Sequence, residues 1–381
     1  MRYFVTMVKP VGSFCNMSCS YCYYLHADNQ QDMKEIRMSD EVLEKYIQSM
    51  IEAVEGDVVS FTWHGGEPTL AGLDFYQKAI ALQKKYCPKN KTIWNNMQTN
   101  GLLIDEAWCK FIKENHFDVG LSIDGTRFVH DQYRNDAGGN DTYQRVQKTL
   151  ALFQKYGIQP DLLCTVTDAT AENAKAVYTT LRSYHTGWIQ FIPIVRRDHG
   201  MVTEDSVKPQ AYGRFLKTIF KEWVTKDLGK LNVQLFAETA LVLSGKKANV
   251  CWLSETCGNV IVVEKNGNVY SCDHFVDRNH LLGNLTEEPL GMLVDSEQQI
   301  LFGKEKANVS QRCRQCPWLD ICHGGCPKDR FMIEEGERQY YLCEGMKMYL
   351  DYAVPLLQEA MTLSSKGFSS AEIMKVLKKT V

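Results

Sequence analysis

Between residue 3 and about residue 225 the sequence alternates short β-rich runs with amphipathic helical stretches. That alternation constrains the fold more than any other feature. The runs at 5–8, 58–63, 92–97, 119–123, 161–166 and 189–194 read as strands. The stretches at 39–54, 73–86, 105–114, 142–156 and 171–184 read as helices, the first opening on the N-cap residue Ser39. Six strand–helix repeats predict an α/β parallel sheet wound right-handedly. The count fits an open six-strand barrel better than a closed eight, although a flat doubly wound sheet satisfies the same pattern. Residues 196–208 are charged and lack periodicity, which predicts a linker or lid loop. The stretches 209–224 and 231–243 read as helices leading to a second unit.

In such folds the working residues follow the carboxyl ends of strands, and the chemically marked residues fall there. After strand one come Cys15, Cys19 and Cys22, spaced C-x3-C-x2-C. Closed zinc sites and electron-carrying cubane clusters take four protein ligands, so three thiolates on one loop leave a metal position open. Three core cysteines, or a zinc loop with a distant fourth ligand, are the plainer readings. After strand two comes His64-Gly65-Gly66-Glu67-Pro68, whose glycines let backbone approach a ligand, and which also reads as a turn before a helix. Gln98 and Asn100 end strand three, Ser122 and Asp124 strand four, and Val195 strand six. Arg134 lies in a polar loop.

The chain has 381 residues, enough for about two units, with net charge −3. Nothing in that balance asks for nucleic acid, and no apolar run has the length of a membrane helix. The opening decapeptide is too short for a signal peptide and reads as the first strand, so a cytoplasmic protein without membrane or nucleic-acid partner is expected. Fourteen cysteines in such a setting argue for metal or cluster ligation over disulfides. Cys87, Cys109 and Cys164 sit in apolar patterns as small hydrophobes. Eight others lie between Cys251 and Cys343: Cys251, Cys257, Cys272, then Cys313-x2-Cys316-x5-Cys322-x3-Cys326, then Cys343. A hairpin over 260–272 with an Asn-Gly turn delivers Cys272 beside Asp273. Eight thiolates complete two four-ligand sites, and spacing alone leaves zinc and iron–sulfur both open.

With Tyr21 before its last cysteine, the N-terminal motif resembles the signature of radical S-adenosylmethionine enzymes. The resemblance favours the partial (β/α)6 barrel. It implies a [4Fe-4S] cluster on Cys15, Cys19 and Cys22, whose open iron is chelated by the methionine moiety of S-adenosylmethionine. It further implies that Tyr21, Gly65, Gly66, Glu67, Gln98, Asn100, Ser122, Arg134 and Val195 bind that cofactor. Gly-Gly-Glu-Pro would take its amino group, and Ser122 and Arg134 its ribose and carboxylate. The second cysteine field resembles the SPASM domain. Carried over, Cys251, Cys257, Cys272 and Cys326 hold one auxiliary cluster, and Cys313, Cys316, Cys322 and Cys343 another. That makes three [4Fe-4S] clusters, the auxiliary pair without an open iron. The implied division is 1–225 barrel, 226–250 helical linker, 251–350 SPASM domain and 351–381 C-terminal helical tail.

Over nearly its whole length the chain is similar to the anaerobic sulfatase-maturating enzymes. The likeness runs through Lys9-Pro10, Gly65–Gly72, Gln98–Gly101, Gly120–Gly125 and Cys272-Asp273. It implies oxidation of a cysteine or serine of an unfolded sulfatase, or of a peptide, to Cα-formylglycine. Asp273 would be the base and a flavodoxin- or ferredoxin-like protein the reductant. His64 stands where some members carry Gln. The competing enzyme reading is a SPASM maturase of another ribosomal peptide, acting by cross-linking or other modification. An electron carrier or a zinc-built interaction module is the non-enzymatic one.

Overall fold

The computed structural model describes residues 4–26, 36–198 and 201–381. Residues 1–3 of the expected first strand, and residues 199 and 200 of the expected lid loop, lie outside them. In chain order the strands are β1 (Val5–Lys9), β2 (Val58–Trp63), β3 (Thr92–Thr99), β4 (Asp118–Ser122), β5 (Asp161–Val166), β6 (Trp188–Pro193) and β7 (Arg197–Asp198). There follow β8 (Met201–Val202), β9 (Asn232–Val233), β10 (Val260–Glu264), β11 (Asn268–Tyr270), β12 (Leu281–Asn284), β13 (Arg330–Glu334) and β14 (Glu337–Tyr340). By compactness the chain forms two units, each assembled from separated segments. The first is Met1–Ser122, Asp131–Pro160 and Cys257–Glu305. The second is Ile123–His130, Asp161–Thr256 and Lys306–Val381.

In the first unit β1, β2, β3 and β4 run parallel, as strands joined by crossover helices must. The helix Asp40–Ala53 begins where the Ser39 side chain accepts the Val42 N–H. It turns Leu43, Tyr46, Ile47 and Met50 inward. These meet a core of Phe61, Trp63, Phe75 and Tyr76, where Tyr76 stands edge-on to Trp63 with centroids 5.3 Å apart. The expected hairpin exists as β10 and β11, but its place in the fold was not legible. β10 pairs in parallel with β1, from Val5 opposite Val260 to Lys9 opposite Glu264. The cysteine-bearing hairpin thus continues the N-terminal sheet, and β12 extends it antiparallel.

In the second unit β5, β6 and β9 are parallel. The helices Pro209–Lys226 and Cys343–Ser365 cross at two glycines: a Cβ on Gly345 would lie 2.3 Å from the Pro209 carbonyl oxygen. Three expectations need correction. The 171–184 stretch is two helices, Asp168–Glu172 and Ala174–Arg182, because the Asn173 side chain caps the first on the Ala169 carbonyl at 2.9 Å. Residues 196–208 carry local structure: β7 pairs with β8, and Arg196 bonds Asp205 at 2.8 Å. The stretch 231–243 opens as β9 before the helix Gln234–Leu243. The C-terminal stretch is helical as expected: the capping box of Ser369 and Glu372 starts a last helix, Ser370–Thr380, that buries Ile373, Met374 and Leu377.

Candidate active site

The three-cysteine loop leaves β1 and is fastened by its backbone. Ser18 N–H donates to the Asn135 carbonyl at 2.9 Å, Ser20 N–H to that of Tyr133 at 3.1 Å, and Cys22 N–H to that of Cys19 at 3.0 Å. These bonds bring Arg134, which is buried, beside the loop, with its guanidinium 5.5 Å from the Tyr21 ring centre. From the end of β3, Asn100 Nδ2 donates to Asn16 Oδ1 at 2.8 Å and lies 3.8 Å from Cys15 Sγ. The loop after β2 closes against the same segment. Gly66 N–H donates to the Gly12 carbonyl at 2.8 Å and Glu67 N–H to that of Phe14 at 2.9 Å. A Cβ on Gly66 would stand 2.1 Å from the Phe14 carbonyl oxygen, so only glycine fits.

Glu67 itself is used internally. Its buried carboxylate accepts from Thr69 Oγ1 at 2.6 Å, Thr99 Oγ1 at 2.7 Å and the Asn100 N–H at 2.8 Å. Burial pushes its carboxyl up, against these donors. It ties the glycine loop to the end of β3. Ser122 is buried at the end of β4, Gln98 bonds the His64 side chain, and Val195 belongs to the second unit. Cys15 is fit to be an iron ligand only when deprotonated. Burial pushes its thiol up to about 12, so the metal must displace that proton.

Asp273 sits in a charged pocket built by the β1–β10 pairing. Lys9, the last residue of β1, is completely buried and its Nζ lies 2.5 Å from Asp273 Oδ1. The Tyr23 hydroxyl donates to Asp273 Oδ2, and the Tyr24 hydroxyl to Glu264. Lys9 Nζ also lies 3.1 Å from His64 Nδ1 and 4.5 Å above the Tyr24 ring. The Gly65 N–H donates to that same His64 Nδ1 at 2.7 Å, which leaves the ring proton on Nε2. Burial and the Lys9 charge lower His64 to about 4, so it is neutral at pH 7. Burial alone would raise Asp273, but Lys9 and then His64 and His274 hold it well below the usual carboxylate range. The buried ammonium sets Asp273 apart from an ordinary carboxyl. Lys9, His64, Tyr23 and Glu264 were not identified as partners of Asp273 from sequence. A lysine closing an apolar strand was the available signal, since a buried ammonium requires a counter-ion.

In the second unit, Cys313, Cys316, Cys322 and Cys343 line one cavity of about 160 Å³ together with Trp318, Tyr340 and Leu350. One water takes a share of about 30 Å³, so the cavity has room for a polynuclear group. Four thiols around such a space fit an iron–sulfur cluster. Ser310 caps the turn carrying Cys313 and Cys316, and Cys343 opens the helix Cys343–Ser365. Burial pushes Cys322 up to about 12 and Cys343 to about 11. Cys257 and Cys272 lie in the first unit, Cys251 and Cys326 in the second. All fourteen cysteines are free thiols. Cys109 and Cys164 are buried as expected; Cys87 is half-buried at the C-cap of the helix Leu73–Tyr86, because the chain leaves the core there.

Comparison with known proteins gives a consistent result. Residues 10–177 match the model of the radical SAM superfamily, and 251–317 that of an iron–sulfur cluster-binding domain, SPASM. The chain is 39% identical to a serine-type anaerobic sulfatase-maturating enzyme of Bacteroides thetaiotaomicron, over 98% of this chain and 94% of that one. It is 35% identical to a cysteine-type enzyme of Clostridium perfringens, over 92% and 96%. The solved structure of native anSMEcpe with bound AdoMet superposes with a TM-score of 0.85 at 35% identity, over 93% of this chain and 98% of that one. A complex of that protein with a peptide, Cp18Cys, also matches at 0.85 over 93% and 97%.

Proposed function

The chain belongs to the anaerobic sulfatase-maturating enzymes, radical SAM oxidoreductases with a SPASM domain, and from that membership we propose an assignment of its residues to the reaction. It oxidises a cysteine or serine side chain of a sulfatase or sulfatase-derived peptide to Cα-formylglycine. The target loses a hydrogen atom from Cβ, then one electron and one proton. From serine this gives the aldehyde directly; from cysteine it gives a thioaldehyde that water converts to the aldehyde with loss of hydrogen sulfide. When bound, S-adenosylmethionine and the cluster on Cys15, Cys19 and Cys22 supply the hydrogen-abstracting radical, and auxiliary clusters supply the electron sink.

Asp273 takes the proton. Its carboxylate is ionised, Lys9 holds Oδ1 at 2.5 Å, and Tyr23 holds Oδ2, so its direction is set by two elements of the first unit. The meeting of the Cys272-Asp273 turn with Lys9 through the β1–β10 pairing is the observation that carries this reading. Gly65 and Gly66 present backbone to the cofactor, with Tyr21, Gln98, Asn100, Ser122, Arg134 and Val195 as its further contacts. Glu67 holds the loop in shape. Cys313, Cys316, Cys322 and Cys343 hold one auxiliary cluster, and Cys251, Cys257, Cys272 and Cys326 the other. The proposed division is barrel 1–225, linker 226–250, SPASM domain 251–350 and tail 351–381. An unfolded sulfatase segment is the substrate and a flavodoxin- or ferredoxin-like protein the electron donor. Among the described residues no helix is long and apolar enough to cross a membrane. Oxygen-sensitive clusters suit a reducing cytoplasm.

The test is anaerobic reconstitution with iron and sulfide, followed by dithionite, S-adenosylmethionine and a peptide bearing Cys-x-Pro-x-Arg or its serine counterpart. Mass spectrometry reading formylglycine at that residue is the expected result. Deoxyadenosine with both peptides intact would move the substrate to another ribosomal peptide.

A further inference from the structure

Asn16 follows the first cysteine of the N-terminal loop, and its backbone is held from outside that loop. The Ala137 N–H donates to the Asn16 carbonyl at 3.0 Å, and Met17 forms a β-bridge with Asp136. Two successive hydrogen bonds orient the side chain. Leu102 N–H donates to Asn100 Oδ1 at 2.9 Å, which fixes which way that amide faces. Asn100 Nδ2 is therefore the atom that meets Asn16, and it donates to Asn16 Oδ1 at 2.8 Å. The Asn16 amide nitrogen is thereby turned away from Asn100. It is buried, and among the described residues it finds no acceptor.

A buried amide donor without an acceptor is costly, and folded proteins rarely keep one. The orphaned donor points to a group that the loop holds. That loop already surrounds sulfur with donors. Met17 N–H donates to Cys15 Sγ at 3.4 Å, Asn100 Nδ2 stands 3.8 Å from it, and the charges of Cys19 and Cys22 reach it. All these residues belong to the first unit. We propose that the Asn16 amide donates a hydrogen bond to a sulfur of the cluster on Cys15, Cys19 and Cys22, and that this bond raises the cluster's reduction potential. This rests on the assignment of those three cysteines as its ligands. The step concerned is the entry of one electron from the flavodoxin- or ferredoxin-like donor. The amide keeps its protons, and no bond is made or broken. A donor aimed at sulfur gains strength as negative charge accumulates there, so it favours the reduced state. Asn16 is thus a tuning residue, and Asn100 the positioning residue that aims it.

The test uses the full chain reconstituted anaerobically, as wild type, Asn16→Leu, Asn16→Asp and Cys15→Ala. Iron is measured, and each form is titrated with redox mediators under electron paramagnetic resonance. The signal that S-adenosylmethionine perturbs and Cys15→Ala lacks is that of the N-terminal cluster. Proton couplings to the reduced cluster are then compared in light and heavy water by electron–nuclear double resonance. Asn16→Leu removes the donor; Asn16→Asp also removes it but still accepts from Asn100. Both are expected to keep wild-type iron, to lose an exchangeable proton coupling and to shift the midpoint to a more negative potential. Asn16→Asp should shift it further, because it adds negative charge. If Asn16→Leu loses the cluster, the proton coupling in Asn16→Asp decides. An unchanged coupling or midpoint in an iron-replete variant overturns the proposal. An unmoved midpoint with weakened cofactor binding gives the amide to S-adenosylmethionine instead. Iron loss from both variants makes Asn16 a folding residue and overturns the proposal too. If Cys15→Ala removes no signal from the wild-type spectrum, the ligand assignment itself fails and takes the proposal with it.

Discussion

The four-thiol cavity of the second unit draws all its cysteines from residues 313–343, while the Lys9–Asp273 pocket of the first joins residues 264 positions apart (273 − 9). The cavity is walled by thiols, Trp318 and Leu350; the pocket holds an ammonium, two carboxyls, an imidazole and two phenols. In one, short spacings shape a container for a cofactor that brings its own chemistry. In the other, distant strands assemble mutually dependent charges. A site of the first kind fails by losing its contents, and a site of the second kind fails by unbalancing its charges.

Substitution at the cysteines separates the two kinds of container most sharply. Cys15→Ala is expected to abolish both deoxyadenosine and formylglycine. Cys343→Ala is expected to lower iron by about four atoms per chain and to retain deoxyadenosine formation. Iron analysis with quantification of deoxyadenosine checks both, and equal loss of deoxyadenosine would erase the distinction. Next comes the pocket's chemistry. Asp273→Asn is expected to lower formylglycine formation by about 10²- to 10⁴-fold, the usual worth of a positioned base, while S-adenosylmethionine is still cleaved. Mass spectrometry of peptide and nucleoside in one reaction measures the ratio.

Charge balance gives the third effect. Lys9→Met leaves Asp273 buried without its partner and is expected to cost about 3–5 kcal/mol in stability. The double variant Lys9→Met/Asp273→Asn should recover part of that, and denaturant midpoints of all three forms would show the coupling. Additive losses would mean that the two residues act separately. The smallest effect is pH-dependent. His64 titrates near 6.5 when unfolded and near 4 when folded, so between these values the unfolded chain binds more protons. Stability should therefore rise from pH 4 to pH 6.5 by about 3 kcal/mol, and fall again on acidification through the same window. His64→Gln should flatten that part of the profile in thermal scans.

The same contrast explains what could be read in advance. The six strands and most of their helices follow from local periodicity, with ends within a few residues, because an amphipathic run reports its own burial. The cysteine spacings likewise report themselves. The helix Arg127–Tyr133 escaped because it is short and its residues also suit a polar loop. The role of Lys9 escaped for a deeper reason: Asp273 reaches it only because β10 lies beside β1, and no local pattern states which distant strand is a neighbour. Glu67 shows the converse. Its motif is conspicuous, yet its partners Thr69, Thr99 and Asn100 show a carboxylate already engaged within the fold.

The parallel pairing of Val5 with Val260 has a consequence for synthesis on the ribosome. About 250 residues must emerge before β1 acquires this neighbour, which at 5–20 residues per second takes on the order of 10–50 s. During that interval one margin of β1 offers unpaired backbone groups to other chains, and Lys9 keeps its water. The ammonium is dehydrated only when Asp273 arrives with the hairpin, so closure of the sheet and neutralisation of the charge are one late event. A nascent chain stalled before residue 260 would retain an open, adhesive edge and a lysine with no counter-ion to receive it.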